Sequence, residues 1–258
     1  MTRFALELQY DGTAYHGWQI QENALTVQTV LNDRLSKILQ QPISTMGCGR
    51  TDTGVHASHF VCHFDAENPT FDQFLFRLNN LLPHDISVQS LYEIPTEVNV
   101  RFAAKSRTYF YYIQQVKSVF DKNYSFYFRR ELDMYKMNTA GEMLLKNTDF
   151  GAFCKSHSSN ITNICRVEKA EWTKQDSRLI FEIKADRFLR NMVRAIVGTM
   201  LDLGENKISP NQFEEIVASG DRKLAGQSVP AHGLFLANVE YDKNTWTLIE
   251  KIEYTTKY

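Results

Sequence analysis

No stretch of this 258-residue chain approaches the roughly 20 consecutive apolar residues that a membrane-spanning helix needs. The first residues, Met1 to Glu7, alternate apolar with polar side chains at once. They offer no apolar core for a secretion signal, so none is expected. Cysteine is scarce, limited to Cys48, Cys62, Cys154 and Cys165. None forms Cys-x-x-Cys and none has a histidine at zinc-finger spacing, so these read as reduced thiols of a cytoplasmic protein without a metal. Charge of one sign is also lacking: the formal net charge is −1. That excludes a basic tail or a bulk polycation, yet leaves room for a local basic face that binds nucleic acid. Low-complexity segments and short-period repeats are absent too.

What is present is ordinary globular material, with 43% apolar and 23% charged residues. The length suffices for one large or two modest domains. Phe4, Leu6, Leu8 and Tyr10 alternate with Ala5, Glu7 and Gln9, which predicts a half-buried first strand ended by Asp11-Gly12. Thr26 is placed to cap a helix whose stripe is Val27, Val30, Leu31, Leu35, Ile38 and Leu39, and Pro42 stops it. A β-prone run, Ile43 to Met46, follows, and after an intervening loop an alternating strand is predicted from Phe60. Thr70-Phe71-Asp72-Gln73 reads as a capping box for a second helix along Phe71, Phe74, Leu75, Leu78 and Leu82. Ile86 to Ile94 reads as another strand. The first ~100 residues therefore read strand, helix, strand, strand, helix, strand, an α+β layer.

The intervening loop, Gly47-Cys48-Gly49-Arg50-Thr51-Asp52-Thr53-Gly54-Val55-His56-Ala57, carries three glycines, an arginine, an aspartate and a histidine in eleven residues. Glycines let a backbone approach a ligand closely, and flanking strands hold a short loop in one place. The plain alternative is a turn with a local salt bridge. Asp-Thr-Gly also matches the aspartic-protease triplet. That triplet follows an apolar strand and needs a second copy to share a proton. Here Gly-Arg-Thr precedes it and the chain has no second copy, although a homodimer could supply one, so the protease reading is set aside.

Gly-Arg-Thr-Asp-x-Gly-Val-His-Ala is similar to the active-site motif of the TruA family of tRNA pseudouridine synthases. Thr53 departs from the alanine common there, a small residue for a small one. Four further stretches resemble the family in order. Tyr15-His16-Gly17-Trp18-Gln19 is similar to its Tyr-x-Gly-Trp-Gln, read as a surface that covers a base, with a hydrophobic flap over the core as the plain alternative. Arg107-Thr108-Tyr109-Phe110-Tyr111-Tyr112-Ile113 resembles Arg-x-Tyr-x-Tyr-x-Ile, which implies that Tyr109 stacks on the target uracil. Met192-Val193-Arg194-Ala195-Ile196-Val197-Gly198 is similar to Met-Val-Arg-x-Ile-Val-Gly, which marks Arg194 as the arginine that pairs with the catalytic aspartate. Leu234-Phe235-Leu236 looks like the Gly-Leu-x-Leu strand that closes the cleft, with Leu234 against substrate.

In the second half, Asp133 is placed to cap a helix through Met137, Ala140 and Leu144. Two strands, Arg166 to Trp172 and Leu179 to Ala185, are expected next. Arg187, Arg190 and Arg194, spaced i, i+3 and i+7, would share one helix face ended by Gly204, either solvated or donating to phosphates. Ser209-Pro210-Asn211-Gln212 reads as a capping box, with Gly220 ending that helix.

The resemblance implies an α+β fold of two similar αβ halves, ferredoxin-like or RRM-like, spanning 1–105 and 106–258. They would form a continuous, mostly antiparallel sheet with helices on one face and a catalytic cleft between the halves. It further implies isomerisation of uridine to pseudouridine at positions 38, 39 and 40 of the tRNA anticodon arm, by a homodimer, with no cofactor, metal or membrane. Asp52 would be the nucleophile, Arg50 would fill the vacated base stack, and Arg187 and Arg190 would bind substrate. A rival of another class, an RNA-binding module or tRNA-folding chaperone on the same fold, would be expected to have lost one of Asp52, Tyr109 and Arg194.

Overall fold

The computed structural model describes residues 1–155 and 161–252. In chain order these form β1 (Thr2–Tyr10), α1 (Val27–Leu39), β2 (Met46–Gly47), β3 (His56–Ala66), α2 (Phe74–Leu81), β4 (Ile86–Ile94), α3 (Val100–Ala103) and β5 (Ser106–Gln114). Then come β6 (Phe126–Tyr127), α4 (Met134–Lys146), β7 (Val167–Gln175), β8 (Arg178–Ala185), α5 (Met192–Gly204), α6 (Pro210–Ser219), β9 (Leu234–Glu240) and β10 (Thr247–Lys251). The α+β class is as the sequence predicts.

Two compact units divide the chain, and one is discontinuous. The first takes Met1–Lys105 together with the chain from Leu236 onward, and the second is Ser106–Phe235. The expectation that everything after 105 forms one half is thus corrected. The C-terminal segment returns to the first unit because its hydrogen bonds go there. Val239 N–H donates to His59 Nδ1 at 3.1 Å, the Tyr241 hydroxyl donates to Val100 O at 2.7 Å, and β10 pairs antiparallel with β4. Lys243 adds an ion pair to Glu7 on β1 and lies over the Tyr92 and Trp246 rings.

In the first unit the strands run β10-β4-β1-β3, with β2 on β3 and the C-terminal part of β9 next to β3. The pairs β1–β3, β1–β4, β10–β4 and β2–β3 are all antiparallel. β1 is buried more completely than alternation predicts, since Ala5 and Glu7 are covered as well. It is a central strand, flanked by β3 and β4. Thr26 caps α1 as expected, accepting from Thr29 N–H. Two local readings fail. Residues Ile43 to Thr45 are not a strand, because α1 side chains take their backbone groups: Ser36 Oγ accepts from Ile43 N–H, and Asn32 Oδ1 from Thr45 N–H. The box at 70–73 does not form either. α2 starts only at Phe74, after a left-handed Gln73 (φ 44°) whose side chain makes no cap bond.

In the second unit β5, β8 and β7 lie in that order, antiparallel, with β6 joining β5 in parallel. Asp133 and Ser209 cap α4 and α6 as predicted, the latter with a full capping box, and Gly220 ends α6 in the left-handed region. α5 is nearly all buried. It runs through Gly204, so that glycine is not the residue past its end; the left-handed residue is Asn206 (φ 60°), a side chain that tolerates that region.

His63 on β3 is buried, and its Nδ1 has no hydrogen-bond partner. Burial first, and then the nearby Arg3 charge, push its pKa down to about 4, against a weaker pull upward from Asp65. An unfolded histidine titrates near 6.5. Between those values the unfolded chain takes up a proton that the folded chain refuses, so stability present above pH 6.5 is lost as pH falls toward 4. Urea unfolding at pH 7 and pH 5 should show this loss, and His63→Leu should reduce it. A His63→Leu protein that loses as much stability as wild type over this range would contradict the assignment.

Candidate active site

Asp52 sits in a loop whose shape is imposed by the segment after β1. Gly17 has φ 84°, and a Cβ there would lie 2.2 Å from Thr51 O, so only glycine allows the two loops to touch this closely. Trp18 N–H donates to Thr51 O at 3.3 Å and Gly54 N–H to Tyr15 O at 3.3 Å. Val55 N–H closes the turn on Asp52 O at 3.1 Å. The Tyr10 hydroxyl bonds Thr51 Oγ1 at 2.8 Å, out of contact with solvent. The Tyr15 hydroxyl donates to Asp85 Oδ1 at 2.6 Å. The peptide units on both sides of Asp52 are therefore held while its side chain stays half-buried, with Arg50 exposed two residues earlier.

Tyr15 and Trp18 are only 3% and 2% exposed, so the reading of this stretch as a surface that covers a base is corrected. Trp18 stacks on Phe60 at 4.1 Å between centroids, beneath the loop. The aromatic segment is a platform for Asp52. His56, also buried, belongs to the same brace. Gly12 N–H donates to its Nδ1 at 3.1 Å, while Asp11 Oδ1 lies 3.0 Å from the same nitrogen. One ring nitrogen cannot accept and donate at once. The amide hydrogen of Gly12 has a fixed direction, and Asp11 Oδ1 already accepts from the Thr13 amide and hydroxyl. Nδ1 is accordingly the acceptor.

In the second unit, Tyr109 lies on β5 opposite Ile183, with its ring edge-on to Phe188 at 5.0 Å and 86°. Both rings are half-buried. Arg194 is in the first turn of α5, and its Nε donates to Val229 O at 2.8 Å while Val229 N–H returns to Arg194 O. The close approach behind this pairing rests on Gly198, where a Cβ would fall 1.8 Å from Gln227 O. His232 is pushed below the ordinary imidazole range by burial and by the Arg194 charge, against a bond to the Ser125 backbone. Leu234 is buried at the start of β9.

Arg187 and Arg190 do not share a helix face with Arg194. α5 begins only at Met192, after Asn191 in the left-handed region (φ 66°). The residues before it are committed elsewhere: Asp186 Oδ1 accepts from the Arg187 and Arg166 amides, and Arg190 O accepts from Lys155 N–H. The i, i+3, i+7 spacing is real in sequence but has no helix under its first two members. Among the described residues, no three His, Cys, Asp or Glu side chains gather where they could hold a metal ion.

Tyr10, Asp85 and Phe188 escaped the sequence reading as site residues. Their partners lie up to 79 residues away along the chain, so no local pattern marks them. Tyr10→Phe removes only the buried hydroxyl and leaves Thr51 Oγ1 without it. A loss of about 1–3 kcal/mol of unfolding free energy is expected in urea titration. An unchanged value would mean that this bond does not hold the loop.

The family described as tRNA pseudouridine synthase matches residues 8–103 and 142–242. Asp52, Arg50, Arg187, Arg190, Arg194 and Leu234 fall inside those stretches, and Tyr109 falls between them. The chain is similar to a protein of Bacteroides fragilis named tRNA pseudouridine synthase A, 46% identical over 242 residues, covering 93% of this chain and 96% of that one. A protein of the same name from Bacteroides thetaiotaomicron is 44% identical over 96% of this chain and 93% of its own. One from Caldicellulosiruptor bescii is 38% identical over 93% of this chain and 100% of its own. Matches of this length, with the braced aspartate loop inside them, mean that the chain belongs to the tRNA pseudouridine synthase family.

Proposed function

We propose that this protein isomerises uridine to pseudouridine at positions 38, 39 and 40 of the tRNA anticodon arm, as a cytoplasmic homodimer needing neither cofactor nor metal. The observation that carries the reading is the aspartate loop: Thr51 and Gly54, on either side of Asp52, are tied by hydrogen bonds to the segment 10–18, within a chain of this family.

The chemistry suits such a group. The C1′–N1 bond of uridine breaks, the uracil turns, and a C1′–C5 bond forms. The proton on C5 leaves and N1 gains one, so the reaction is balanced without redox or group transfer. The Asp52 carboxylate serves as nucleophile, or as base at C2′. It must stay ionised beneath a nucleotide, where loss of water disfavours charge, and the Arg194 guanidinium offsets that cost. A base in a stem must be extruded before it can react. Arg50 fills the space it leaves, Tyr109 stacks on the uracil and assists loss of the C5 proton, and Leu234 lines the base site. Arg187 and Arg190 contact phosphates from a loop.

Paired measurements of tRNA affinity and of tritium release from 5-tritiated uridine test the reading. Asp52→Asn should abolish release and keep the affinity, which comes mainly from spread phosphate contacts. Asp52→Glu keeps the charge but moves the carboxylate by more than ~1 Å, a misplacement that can cost ~10²-fold in rate. Appreciable pseudouridine formation by Asp52→Asn would remove Asp52 from the mechanism. Tritium release by the wild-type protein also separates an enzyme from a chaperone on this fold.

A further inference from the structure

Residues 115–130 stand apart from the rest of the surface. They carry Lys117, Lys122, Arg129 and Arg130 against Asp121 alone, a net charge of +3 in a chain whose formal total is −1. The same sixteen residues hold five aromatic rings. Phe120 is 89% exposed, and Val116, Val119, Tyr124 and Tyr127 are exposed as well. A phenylalanine this bare beside basic side chains gains nothing from the fold of its own chain and marks an interaction surface.

The segment is held in shape. β6 pairs with β5, Gln115 N–H donates to Ser177 O at 2.9 Å, and Phe128 N–H to Gln114 O at 2.9 Å. Asp121 is the inner anchor. Its carboxylate accepts from Ser118 Oγ at 2.7 Å and from Arg178 Nη2 at 3.0 Å, and its carbonyl accepts from Tyr124 N–H and Ser125 Oγ. The one acid of the segment is thereby engaged with partners inside the unit, while Phe120, Lys117, Lys122 and Arg129 are at the surface. Arg130 is tied to Glu205 and is the least available of the cations.

Exposed rings interleaved with cations suit unpaired nucleotides: a ring stacks on a base and the cations meet the phosphates on either side. A second copy of this chain fits less well, because a two-fold contact would set one +3 segment against another. The segment also lies within the stretch between the two family matches, 8–103 and 142–242.

We propose that residues 115–130 form an RNA-contacting arm, in which Phe120 stacks on an unpaired base of the tRNA while Lys117, Lys122 and Arg129 hold its phosphates. This rests on tRNA being the substrate. The test measures the affinity of an unmodified tRNA transcript across a salt series, for wild type, Phe120→Ala and the double variant Lys117→Ala/Lys122→Ala. Phe120→Ala should weaken binding about 5- to 150-fold with the salt slope unchanged, the loss of one stacked base. The double variant should reduce the slope of log affinity against log salt by about two. Unfolding midpoints should match wild type, since the side chains removed are exposed. Wild-type affinity and slope in both variants would overturn the arm. So would a Phe120→Ala protein that changes its oligomeric state in sedimentation while binding tRNA as before, because the surface would then be a contact between copies. Tritium release by the wild-type protein keeps the two claims separate: its absence overturns the enzymatic reading, whereas its presence with unaffected variants overturns the arm alone.

Discussion

Everything asked of Asp52 depends on a contact between two loops. Thr51 is gripped twice, at its carbonyl by the Trp18 amide and at its hydroxyl by Tyr10, and Gly17 has no side chain to keep the loops apart. A carboxylate that must act at one atom of a nucleotide loses rate steeply with small displacements. A loop held only by its own turn would allow them. Here the loop is fastened to β1 through Tyr10 and, through Tyr15 and Asp85, to the start of β4. The core of the first unit thus sets the position of the Asp52 loop, and the aromatic stretch 15–19 is its support.

The second unit solves a similar problem with different means. The role proposed for Arg194 needs its guanidinium at a set place, and a long side chain does not stay put unaided. Its Nε is taken by Val229 O, and the chain at 227–229 can come that close because Gly198 leaves room on α5. Tyr109 is steadied by the edge-on ring of Phe188. In both units the chemically interesting side chain is flanked by a neighbour brought in from a distant part of the sequence.

This explains what was legible in the sequence and what was not. Period and cap chemistry are local, so β1, α1, α4, α6 and β4 could be read directly, with Thr26, Asp133 and Ser209 as caps. The motif around Asp52 is also local, and it pointed to the family. Where the local reading failed, either a partner from elsewhere in the chain or the backbone conformation itself outweighed the local preference. Residues 43–45 had strand propensity, but Asn32 and Ser36 took their amides. The 70–73 box had the right residues, but Gln73 adopts a left-handed conformation. Arg187 and Arg190 had helical spacing, but Asp186 and Asn191 bend the chain before α5 begins. The return of the C-terminal strands to the first unit left no mark on their own residues, since Val239 and Tyr241 find partners more than a hundred positions away.

The account makes the braced aspartate loop the centre of a tRNA pseudouridine synthase that works on the anticodon arm. The measurement that bears on it most directly is nucleotide-resolution mapping of pseudouridine in unmodified tRNA after incubation with the wild-type protein. The account predicts new pseudouridine at positions 38, 39 and 40 and at no others. Pseudouridine confined to another arm of the tRNA, or none at all, would contradict it.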